Sequence, residues 1–210
     1  MSLTLDVIRQ MVHSMNLQWS VWCLVISGLS LSMCGLAVAM SVLSYGCISR
    51  EGKDYSVLKT LPVPMETIVM VKRDVAMLFN GISGVLFPML ITVAGVVLDL
   101  LPAWTIALML LVSTGWLVVA IDMCCLFGLR KPNLNWDAEA DACKNNMPGL
   151  IFWLVSFVAV IMAMFTVGDY DISGEMLQII AIAVCALPIV LALVLDAMLR
   201  RKAAGLADRV

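Results

Sequence analysis

Five stretches of the chain stay apolar for about twenty residues, and polar positions collect in short segments between them. A helix of that length matches the hydrocarbon thickness of a bilayer. The pattern predicts spans over about 19–48, 75–98, 103–127, 148–167 and 175–199. Residues 1–19 read differently. Leu5, Ile8, Val12, Met15 and Trp19 recur at steps of three and four, with Asp6, Arg9, Gln10, His13 and Asn16 on other faces. That is either an amphipathic helix lying at the interface, anchored by Trp19 and Trp22, or the lead-in to the first span.

The first span is rich in small residues, from Ser27 and Gly28 through Gly35 to Ser41. Small side chains let backbones approach where lipid offers no hydrophobic drive, so this helix is expected inside a bundle. Pro88 predicts a kink in the second span, and Pro188 lies within the fifth. The turns at 99–102 and 168–174 are short and acidic. The fold class expected is therefore all-α: one transmembrane domain over 1–210, a polytopic bundle of five helices.

Composition agrees. Mean hydropathy is +1.02, and only 13% of residues are charged, about half the share of an ordinary soluble domain. A net charge of −2 gives no nucleic-acid signature. Asp6 and the lack of a basic cluster leave no cleavable signal pattern at the start. The seven cysteines (Cys23, Cys34, Cys47, Cys124, Cys125, Cys143 and Cys185) include no CxxC, and His13 has no ligand-type neighbour. They read as apolar packing residues, as do the sixteen methionines, and no metal or cofactor is expected on this chain.

Charge sets the sidedness. Arg50, Lys53, Lys59, Lys72 and Arg73 fall in the first long loop, 49–74. Arg130, Lys131 and Lys144 fall in the second, 128–147, and Arg200, Arg201, Lys202 and Arg209 in the tail. Only Arg9 of the thirteen basic residues is on the other side. The positive-inside rule then puts both loops and the C-terminus in the cytoplasm and the N-terminus outside. Five spans starting outside make an odd transporter; one further inward-starting helix before residue 1 would give a six-helix unit with both ends inside.

The two loops carry the candidate chemistry. Residues 49–72, SREGKDYSVLKTLPVPMETIVMVK, combine a charged cluster, an apolar stripe (Val57, Leu58, Leu61) and a stop at Pro62 and Pro64. Residues 131–146, KPNLNWDAEADACKNN, hold Pro132, Leu134, Asn135, Trp136, Glu139, Ala142, Lys144 and Asn146 in the pattern P-x-L-N-W-x-x-E-x-x-A-x-K-x-N. Both segments resemble marks of the permeases of type-2 ATP-binding-cassette (ABC) exporters, bacterial membrane subunits built from two multi-span halves. The likeness is clear over about 45–165. It implies the C-terminal half of such a permease in the bacterial plasma membrane. Because those subunits are about twice as long, it also implies a split subunit, a truncated form or a lost half. The implied partners are an ABC ATPase that binds the ATP, another permease half or a second copy of the chain, and membrane lipid.

A stripe at helical spacing fits a groove on a partner. Arg50, Glu51, Lys53 and Lys59 would surround it with polar contacts, and Gly52 and Pro62 would shape it. On composition alone this is an ordinary basic loop that sets topology. Met65–Arg73 is expected as a second, surface-lying amphipathic helix. In the second loop, Trp136 is an interfacial anchor or packs onto the first loop, and Lys144 and Asn146 cap or pair with Glu139 or Asp141.

Ion-driven carriers need acids near the midplane. Asp122 is six residues before Gly128 and Asp196 four before Arg200, so both are expected near the cytoplasmic helix ends, with Asp196 paired to Arg200. No GxxxxGK[ST] loop, GxSxG elbow or HExxH occurs, which argues against ATP binding or intramembrane catalysis by the chain itself. Two readings remain: an exporter permease half driven by a separate ATPase, or a non-transporting structural or regulatory membrane subunit.

Overall fold

The computed structural model describes residues 19–54, 57, 60, 62–101, 103–130, 132, 147–169 and 174–205. Among these there are helices and no strands: α1 (Trp19–Met40), α2 (Val42–Tyr45), a 3-10 segment (Ser49–Asp54), α3 (Met65–Val97), α4 (Trp104–Gly128), α5 (Met147–Asp169) and α6 (Gly174–Ala204). Among the described residues, four helical stretches are long and apolar enough to cross a membrane: Cys23–Met40, Met65–Val97, Trp104–Gly128 and Ile179–Ala204. Of the amphipathic segment expected over 1–19, all but Trp19, which opens α1, lies outside the described residues.

α1 packs against α3, α4, α5 and α6, as its small residues require. Its serines also bond across the bundle. Ser30 and Ser113 hydroxyls are 2.8 Å apart, and Trp116 Nε1 donates to Ser27 Oγ at 3.3 Å. α5 crosses α1 beside Gly28 and Gly35, where Val160 and the Trp153 backbone come close. The core is built on Cys34 and Val38 of α1 and Val112, Trp116, Ile121 and Cys125 of α4, and takes in Val69 and Ala76 of α3 and Leu199 of α6.

Three expected boundaries move. The first span does not continue to Ile48: α1 ends at Met40, and Ser41 Oγ accepts the Leu43 amide at 3.3 Å, starting the one-turn α2. Second, Met65–Arg73 is not a separate surface helix, and Lys72 and Arg73 are not loop residues. They belong to α3, whose 33 residues reach about 50 Å, well beyond a hydrocarbon core roughly 30 Å thick. Pro64 stands at its N-cap, and no glycine or proline follows before Gly81 to break it. Third, α6 runs to Ala204, so Arg200, Arg201 and Lys202 form its last turns rather than a tail. Good helix formers and cations at the negative end of the dipole favour that extension.

Pro88 sits within an unbroken α3. A proline cannot donate to the carbonyl four residues earlier, here Gly84, and Cys34 Sγ approaches that oxygen at 3.4 Å instead. The α3–α4 turn ends α3 with Asp99 at φ 55°. The Asp99 amide donates to Val96 O at 3.0 Å and the Leu100 amide to Gly95 O at 2.9 Å. This is a Schellman cap, with an aspartate taking the left-handed position.

Candidate functional site

The charged residues of α3, α4 and α6 converge at one end of the bundle, beside the 3-10 segment. Arg73, 8% exposed, is the hub. Its Nε donates to Asp122 Oδ1 at 2.6 Å and its Nη2 to Asp122 Oδ2 at 3.1 Å, a two-pronged pair with a carboxylate that is fully buried. The same Nη2 lies 3.2 Å from Asp196 Oδ1 on α6, and Nη1 lies 3.6 Å from Asp74. Asp196 accepts from Arg200 Nε at 2.8 Å, the one-turn pair expected, and Arg200 Nη1 lies 3.9 Å from Glu66 at the start of α3. A chain of alternating charge, from Asp122 through Arg73, Asp196 and Arg200 to Glu66, thus ties three helices together.

A second anchor fixes the loop base to the same helix. Lys72 pairs with Glu51 and donates to the Cys47 carbonyl at 2.9 Å. Glu51 is therefore engaged within the chain. Gly52 is buried at φ 51°, ψ −127°, a conformation that glycine adopts without a Cβ clash. The α2 end is held from the other side: Cys125 Sγ donates to Ser44 O at 3.2 Å, and Gly128 lets the Tyr45 carbonyl pass where a Cβ would overlap it. On α6, Lys202 Nζ reaches Leu126 O at 3.4 Å.

Beyond this base the chain turns outward. Arg50, Val57, Pro62 and Val63 are exposed, with Val57 at 56%. A turn at the tip is closed by the Thr60 amide and hydroxyl, both donating to Val57 O, at 3.0 and 2.8 Å. Lys53 lies in the 3-10 segment. Leu58, Lys59 and Leu61 lie outside the described residues. So do Leu134, Asn135, Trp136, Glu139, Ala142, Lys144 and Asn146 of the second loop, whose Pro132 is half-buried.

Compared with known proteins, the chain matches no family model, no curated protein and no solved structure. The site stands on its geometry.

Sequence reasoning placed Asp122 and Asp196 near one end of their helices but missed their common partner. Within the run Lys72-Arg73-Asp74, the sequence pattern reads Arg73 as a loop charge that sets topology. A helix reading continued back to Pro64 would have put Arg73 inside α3, though not beside Asp122, which is on α4. Ser27 and Ser30 of α1 bond to α4, and Ser41 Oγ accepts from Asn80 Nδ2 of α3. An open apolar groove of about 330 Å3 lies between α4 and α6, beside Trp104, Leu108, Cys185 and Ile189.

Proposed function

We propose that the chain is a permease half of an ATP-driven exporter, coupled to a separate ABC ATPase through residues 49–64. In this reading α5 is a fifth span, the N-terminus is outside, and both loops and the C-terminus face the cytoplasm of a bacterial inner membrane. The observation that carries the reading is mechanical. An exposed loop tip stands on a base fixed to α3 by Lys72–Glu51, and α3 is fixed to α4 and α6 through Arg73, Asp122 and Asp196. A push on such a tip moves three helices together instead of bending a loop. The sequence likeness at 49–72 and 131–146 supports the same partner, as an analogy.

Affinity purification of the full chain from its native membrane is expected to retain an ABC ATPase, and Val57→Asp or Leu58→Asp to reduce that retention at least tenfold. Retention undiminished by both variants rejects the loop as the coupling element. A complex that hydrolyses ATP in vesicles but moves no substrate would favour the structural or regulatory subunit.

A further inference from the structure

A cleft of about 270 Å3 opens between the α2–3-10 connection and the flank of α3. Leu43, Val71 and Val75 form its apolar wall, and Arg50, Glu51 and Lys72 its rim. We propose that this cleft binds one anionic phospholipid, with the phosphate on Arg50 and an acyl chain along α3.

The rim selects the headgroup. Lys72 and Glu51 neutralise each other, and Lys72 also donates to the Cys47 carbonyl. Arg50 is exposed and has no ion pair among the described residues, so the rim carries one uncompensated positive charge. Basic pockets at the ends of membrane helices suit anionic headgroups, and a guanidinium presents a fork to phosphate oxygens. The wall selects a tail. From the cleft, exposed Val71, Val75, Leu78, Ile82 and Leu86 follow one face of α3. That track is about 22 Å long, enough to cross one leaflet of a core roughly 30 Å thick. A free anion would use the charge alone and a neutral hydrocarbon the wall alone; a lipid uses both.

The proposal rests on α3 crossing a bilayer and on no ATPase, so it can fail or hold independently of the exporter reading. The test is native mass spectrometry of the full chain in detergent, titrated with phosphatidylglycerol or phosphatidylcholine. One equivalent of phosphatidylglycerol is expected to bind on the order of fivefold more tightly than phosphatidylcholine, the effect of a single surface cation. Arg50→Gln is expected to abolish that preference, Arg50→Lys to keep it, and Val75→Gln to weaken both lipids. Excess inorganic phosphate should leave the lipid bound. Equal affinity for the two lipids, a preference unchanged in Arg50→Gln, or displacement by inorganic phosphate would each overturn the assignment. Arg50 is at the surface, and an unchanged melting temperature of Arg50→Gln identifies a binding loss as local.

Discussion

Arg73 and Asp122 illustrate how a single buried pair can be both costly to keep and costly to break. Desolvating two ions consumes much of their attraction, whereas removing one partner strands the other charge without water. Arg73→Ala, which leaves buried Asp122 alone, is therefore expected to destabilise the chain by about 3–5 kcal/mol. Asp122→Ala should cost less because Asp196 still answers Arg73, and the double change Arg73→Met with Asp122→Leu far less than Arg73→Ala. Thermal unfolding in detergent measures both; equal losses in the single and double variants would contradict the pairing. Cys34 offers a finer test of the same accounting. It answers the carbonyl that Pro88 leaves without a donor. Cys34→Ser should be close to neutral, because a hydroxyl donates at least as well, while Cys34→Ala should cost about 1–3 kcal/mol through the bare Gly84 oxygen.

At the scale of elements, the proposed coupling uses α3 as its lever arm and α2 as the fulcrum. α3 emerges from the bundle core at Gly84, passes Arg73, and continues to Pro64 at the loop. The fulcrum works only because α4 ends without a side chain where Tyr45 crosses it. Gly128→Ala would drive a methyl into the Tyr45 carbonyl, and the helix ends must separate to admit it. The expected loss is about 1–3 kcal/mol, accompanied by faster protease cleavage within 49–64. Proteolysis as slow as in the parent chain would show that this contact does not hold the loop base.

For the whole molecule, sidedness is the property on which the proposed function turns. Thr60 is exposed at the loop tip, whereas Cys23, Cys34, Cys47, Cys124 and Cys125 are buried. Thr60→Cys, made with Cys143→Ser, should react with a membrane-impermeant maleimide in inverted vesicles and not in intact cells. Labelling from outside intact cells would reverse the topology and remove the loop from any cytoplasmic motor. The all-helical class, the existence of the long apolar helices and most of their boundaries were legible in the residue pattern, because a bilayer forces each span to be apolar for a fixed length and to satisfy its own backbone. The rule concerns one helix at a time. It therefore read Lys72 and Arg73 as loop charges and ended the first span late, at a break made by one serine. Which helix faces which is set by side-chain contacts between residues distant in the chain. Only the folded bundle brings Arg73, Asp122 and Asp196 to one point, seats Gly128 under Tyr45, and assigns Glu51 to Lys72. Periodicity along a single helix carries no record of such meetings, since their energy comes from the partner across the interface.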